Sequence, residues 1–167
     1  NNLSIGKFLS YVGYAMGFKG MEVDFAGKVM GLQAYGTPDM ELARQINQDN
    51  ILDLCGEWMV RGVDSRDPEF QNFVATVHKA CELIQLDYFK VFDPNKKISC
   101  SGGVMLNTVI NTELRKTYDI DILPHVYDGG LSVGALRYAV GHNFDMNNFP
   151  YCQDDYAPEN VSDETIE

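Results

Sequence analysis

The chain is short of several things, and each shortage closes a class of function. No apolar run approaches the ~20 residues that a bilayer-spanning helix needs, so no membrane role is expected. Positive charge is scarce: 13 Lys and Arg stand against 24 Asp and Glu, a formal net charge of −11. Repulsion of that sign opposes a nucleic-acid or anionic-membrane surface, but it does not forbid a nucleotide in one local pocket. The four cysteines, Cys55, Cys81, Cys100 and Cys152, form no C-x-x-C pair. Cys81 and Cys100 fall in apolar patterns and are expected as buried, reduced core residues, which suits a cytoplasmic compartment. No Ser-His-Asp or Cys-His arrangement supplies a nucleophile with its base, so no catalytic residue is assigned. The opening Asn1-Asn2-Leu3-Ser4-Ile5 has neither an initiator Met nor a signal-peptide layout, and reads as an internal cut in a longer protein.

What is present suits one α/β domain: 167 residues, 45% of them hydrophobic, enough to build a core. Ile5, Phe8, Leu9 and Val12 give a helical face over Ser4 to Met16, with Ser4 a candidate N-cap. Asp24 to Leu32 begins a second helix that breaks at Tyr35-Gly36-Thr37-Pro38. Asp39 to Met59 reads as one or two helices interrupted by Asn47-Gln48-Asp49-Asn50, and Met59 to Val63 as a short strand. Glu69 to Tyr88 carries the strongest stripe, with Phe70, Phe73, Val74, Val77, Cys81 and Ile84 at spacings of three and four. His78 lies beside that stripe and reads as structural rather than as a ligand.

The chemistry gathers after Asp93-Pro94-Asn95. Ile98 to Cys100 reads as a strand, Ser101-Gly102-Gly103 as a turn, and Val104 to Tyr118 as a helix. Glycines let backbone approach a ligand, and a helix start offers unpaired N–H groups, which together suit a phosphate. The alternative is a tight turn that binds nothing. A second strand, Ile120 to Pro124, a loop through Asp128-Gly129-Gly130, and a helix bearing Leu131, Ala135, Leu136, Ala139 and Val140 repeat the pattern. If the two strands are parallel and adjacent, both loops leave the same carboxyl edge, where open α/β sheets bind ligands. Asp128 reads either as a helix cap or as a hard oxygen ligand to a divalent metal. His125, three residues earlier, is a weaker candidate for the same metal. Lys28 reads, taken alone, as a solvated helix cation.

Three stretches in this order, Gly27-Lys28-Val29-Met30-Gly31-Leu32-Gln33-Ala34-Tyr35-Gly36, Ser101-Gly102-Gly103-Val104-Met105-Leu106-Asn107 and Asp128-Gly129-Gly130-Leu131-Ser132-Val133-Gly134-Ala135, resemble the carbamoyltransferase family of the nodulation-protein-U and antibiotic-tailoring type. The resemblance spans nearly the whole chain. It implies a fragment of a ribonuclease-H-like domain of the actin/sugar-kinase type, with helices packed on a small mixed or parallel sheet. Residues 1–148 would be part of the second lobe of that domain, and 149–167 a linker toward a YrdC-like domain. The implied activity is ATP-dependent transfer of a carbamoyl group from carbamoyl-adenylate, made from carbamoyl phosphate and ATP, to the hydroxyl of a small-molecule acceptor. Lys28 and Gly31 would lie at the purine-ribose side, with Ser101, Gly102, Gly103 and Asn107 also toward the nucleotide, and Asp128 on a divalent metal (Fe, Mg or Mn). The partners implied are the rest of its own chain, the upstream lobe and the YrdC-like domain. This sequence departs from the family at Ala26-Gly27, where an acidic residue is usual, and at Pro124-His125-Val126-Tyr127, where Pro-Ala-Ala or Pro-Ala-Pro is frequent. A sugar kinase or another actin-like ATPase, and a non-catalytic nucleotide-binding module, are the alternatives.

Overall fold

The long helix around which the rest packs is α5, Pro68–Phe89, and its start follows directly from sequence. Asp67 accepts from the Glu69 N–H at 2.9 Å while Pro68 occupies the first turn, where its missing N–H costs nothing. Phe70, Phe73, Val74, Val77 and Cys81 are buried, as their spacing requires. The computed structural model describes residues 4–20, 23–123 and 125–141.

Helix α1, Ile5–Ala15, buries Phe8, Leu9 and Val12 against α5; Ser4 holds the cap position but makes no side-chain cap bond. Helix α2, Val23–Leu32, ends in a 3-10 turn, Gln33–Tyr35, and packs on α1 and α5. Helix α3, Met40–Gln45, starts at Asp39, whose carboxylate accepts from the Glu41 and Leu42 N–H groups at 2.8 and 3.0 Å. Asp39 is itself anchored to α5, since its backbone N–H donates to Thr76 Oγ1 at 2.9 Å.

Helix α4, Ile51–Arg61, overturns the strand expected over Met59 to Val63. Trp58 packs edge-on to Phe70 and tilted against Phe73, and the Arg61 guanidinium sits 4.5 Å from the Trp58 ring centre. These contacts carry the helix through Arg61; Met59 and Val60 are exposed on it, and Val63 lies beyond its end.

Two strands, β1 (Ile98–Cys100) and β2 (Ile120–Ile122), pair in parallel with Ile98 opposite Ile120 and Cys100 opposite Ile122. Parallel neighbours need a crossover, and here it is a 3-10 turn, Gly103–Leu106, followed by α6, Thr108–Leu114. This corrects the single helix expected from Val104 to Tyr118. Asn107 interrupts it by taking an extended backbone and accepting from the Ile110 N–H at 3.1 Å, so α6 begins at Asn107 rather than at the glycines. The strand expected to Pro124 ends at Ile122. Helix α7, Gly130–Val140, follows β2 and buries none of its residues, leaving Leu131, Leu136 and Tyr138 exposed. The architecture is thus mixed α/β, mostly helical, with one small parallel sheet among the described residues. The segment 149–167 lies outside the described residues.

Of the cysteines, Cys55 and Cys81 are buried and Cys100 is half-buried, so the expectation holds fully only for Cys81; Cys152 lies outside the described residues. No described helix is long and apolar enough to cross a membrane.

Candidate functional site

Both glycine loops leave the carboxyl ends of β1 and β2, which the parallel register places side by side. A hydrogen bond ties them together: the Gly102 N–H donates to the Val126 carbonyl at 2.8 Å, two residues before Asp128. The expected shared carboxyl edge is therefore present, with Ser101, Gly102 and Gly103 on one loop and Asp128 on the next.

Gly102 has φ 108° and ψ 153°, backbone that only glycine adopts without strain. A Cβ added at Gly102 or at Gly103 would meet no atom within 4 Å, so both face open space. The Gly102 N–H is spent on Val126, but the N–H groups of Gly103 and Val104 have no acceptor among the described residues. Two free backbone donors over an uncluttered glycine surface are what an anion needs.

The second pair is different. A Cβ at Gly130 would lie 2.3 Å from the His125 carbonyl oxygen, and one at Gly129 would lie 2.8 Å from the Tyr127 ring. These glycines are required by their own chain. His125 takes a positive φ of 54° and its ring packs edge-on to Tyr127 at 5.6 Å. Asp128 is exposed, its carbonyl accepts from the Leu131 N–H at 3.0 Å, and the cap position of α7 is Gly129. Its carboxylate has no partner among the described residues, and so does not perform the capping role weighed for it. No group of three His, Cys, Asp or Glu side chains converges among the described residues. One carboxylate fits a magnesium ion that arrives on phosphates, since Mg²⁺ is held by few carboxylates plus substrate oxygens. It does not make an all-protein cage.

Behind the open turn lies a buried polar row that periodicity alone did not flag beyond His78. His78, Glu82 and Gln85 on α5 face Asn107 and Asn111, and all five are less than 9% exposed. The Asn107 amide donates to His78 Nε2 at 2.9 Å while its oxygen caps Ile110. Asn111 Nδ2 donates to the Met105 carbonyl at 2.7 Å, and Gln85 Nε2 reaches the Met105 sulfur at 3.4 Å. Gln85 Oε1 and Asn111 Oδ1 are without partners among the described residues. Lys79 pairs with Glu82 at the rim of this row. Burial pushes His78 below its ordinary 6.5, with Asn107 Oδ1, 3.3 Å from Nε2, and the Glu82 charge opposing. The signal in sequence was the polar spacing of 78, 82 and 85, one face of a helix otherwise striped with apolar residues. Asn107 thus stands under the turn, holding it, rather than on its open side.

Lys28 and Gly31 are exposed on α2, and the Lys28 ammonium sits 4.8 Å from the Phe18 ring centre. No hydrogen bond or ion pair joins them to the glycine turn among the described residues; α1 packs against both α2 and the turn. A Cβ at Gly31 would meet nothing, whereas one at Gly36 would strike the Gln71 carbonyl at 2.0 Å. In this stretch Gly36 is a packing glycine and Gly31 is open. A separate groove of about 430 Å³, lined by Arg115 to Ile120, lies at the amino end of β2 and holds none of these residues. Compared with known proteins, the chain matches no family model, no curated protein and no solved structure.

Proposed function

We propose that this chain carries a nucleotide-phosphate site at the Ser101–Gly103 turn and serves an ATP-dependent O-carbamoyltransferase. The observation that supports it is the open glycine pair tied by Gly102 to the Asp128 loop at a shared carboxyl edge. The Gly103 and Val104 N–H groups would hold phosphate oxygens, and Asp128 would take one position on a magnesium ion bound to them. The carbamoyl step itself rests on the resemblance of the three glycine-bearing stretches, as does the finer ribonuclease-H-like architecture. In that step the acceptor oxygen bonds to the carbamoyl carbon and AMP departs; the chain's contribution is to hold the phosphate side in place. Lys28 and Gly31 are the surface offered to the rest of the nucleotide.

Calorimetric titration with ATP, with and without Mg²⁺, tests this beside Asp128→Asn. Binding that depends on Mg²⁺ and weakens about tenfold in the variant is the expected result. Binding unaffected by the variant would remove Asp128 from the site. A second reading, in which the turns bind nothing, draws on Gly129 and Gly130, both filled by their own chain; absence of ATP binding to folded protein would favour it. Carbamoyl transfer is tested separately, by release of AMP from carbamoyl phosphate and ATP with hydroxyl acceptors.

A further inference from the structure

We propose that His78 is a positioning residue for the open glycine turn, acting as a pH-sensitive latch through Asn107. Neutral His78 accepts from Asn107 Nδ2 at 2.9 Å, and this orientation leaves Asn107 Oδ1 to accept from the Ile110 N–H at 3.1 Å. One amide therefore joins α5 to the point where the turn becomes α6. The backbone around it has little slack: the Asn107 N–H donates to the Val104 carbonyl at 3.1 Å and the Met105 N–H to the Gly102 carbonyl at 3.0 Å. Gly102 is in turn bound to Val126, so the path from His78 to both loops is continuous.

Protonation reverses the chemistry at one atom. Nε2 becomes a donor and faces Nδ2, another donor, across a buried contact. The imidazolium must then turn to Oδ1, 3.3 Å away and already serving Ile110, while Nδ2 loses its acceptor. A buried amide left unpaired is costly, so the turn has to move. The charges acting on the ring are Glu82 and Lys79, both on α5; the facing turn and α6 bring the neutral amides Asn107 and Asn111. Glu82 is paired with Lys79, which limits how far it can favour the imidazolium.

The geometry of the latch stands apart from any ligand, while its consequence for binding rests on the phosphate reading of the turn. Two readouts keep them separate. In an NMR titration of the full chain from about pH 8 to about pH 5, the His78 ring, the Asn107 side-chain amide and the Gly102 and Gly103 N–H signals are expected to move with one midpoint below 6.5. In His78→Gln, whose carbonyl accepts from Asn107 without titrating, the turn signals lose that movement. Turn signals that ignore the ring's midpoint, a ring that stays neutral until the protein unfolds, or unchanged movement in His78→Gln would each overturn the latch. The wild-type titration decides even if the variant does not fold. ATP affinity is then expected to fall about three- to tenfold more in wild type than in the variant over the same range. Coupled turn signals with no ATP binding at any pH would sustain the latch and sink the phosphate reading.

Discussion

The two glycine pairs leave neighbouring strands at the same edge, yet they do opposite work. Gly102 and Gly103 look onto empty space, and one of them takes backbone that other residues avoid. Gly129 and Gly130 are pressed against Tyr127 and the His125 carbonyl, with ordinary negative φ at Gly129. The second pair is small so that the chain can pack on itself. The first is small where the chain packs on nothing, as at many other glycines here; what sets it apart is the pair of N–H groups of Gly103 and Val104 beside it, unpartnered among the described residues. A glycine's neighbours distinguish the two cases; its place in a motif does not.

The sharpest way to break this contrast is Gly130→Ala. A methyl 2.3 Å from a backbone oxygen forces the loop to move, and a loss of about 3 kcal/mol is expected, read as a melting temperature lower by about 6–12 °C. A melting temperature within a degree or so of wild type would mean the loop yields freely. Gly102→Ala has room for its methyl but not for its backbone angle, and should cost about 2 kcal/mol in denaturant unfolding. Gly103→Ala has neither obstacle. Its stability should stay within about 0.5 kcal/mol of wild type, while ATP affinity falls about tenfold as the methyl stands where phosphate approaches. A stable Gly103→Ala protein with unchanged affinity would strip the open pair of its function.

The pattern of elements was legible because it rests on short-range rules. The stripe from Phe70 to Cys81 announced α5 and its buried face, and Ile98 to Cys100 read as a strand before its glycine turn. Parallel pairing with Ile120 could only be conditional, since register depends on contacts distant in sequence. Met59 to Val63 misled because its apolar residues are not core residues: Met59 and Val60 are exposed on the last turn of α4, while Trp58 packs on Phe70 of α5. The Asn107 break was missed for a related reason. Its side chain caps α6, but what fixes that amide is His78, 29 residues earlier in the chain. The site was visible as a list of candidate residues; the difference between open and filled glycines was not, because it is a property of neighbours in space.

The pH dependence of stability follows from the support beneath the open pair. His78 is held below 6.5 by burial, so its folded pKa is depressed relative to the unfolded chain. The unfolded state then binds more protons, and stability present above 6.5 is lost as pH falls through that value toward the folded pKa. Denaturant melts of wild type and His78→Gln should therefore converge or cross on the acid side. Parallel curves would assign the acid sensitivity to the carboxylates instead.

The smallest effect expected is chemical, and it uses the residue that ends β1 immediately before the open turn. Cys55 and Cys81 are buried deeply enough to push their thiols up to about 12, which leaves almost no thiolate at neutral pH. Burial and the nearby Asp121 charge also raise Cys100, but its side chain is only half-buried. Alkylation of the native chain at about pH 8, followed by peptide mass spectrometry, should mark Cys100 before Cys55 or Cys81. Nucleotide on the adjacent turn should slow the Cys100 reaction about twofold and leave the other two unchanged, because only Cys100 lies on the strand that feeds the open glycines. Equal protection of all three would report a general tightening of the fold. Protection of Cys100 alone would place the ligand at Gly102 and Gly103, on the side of the molecule where the chain has left room for it.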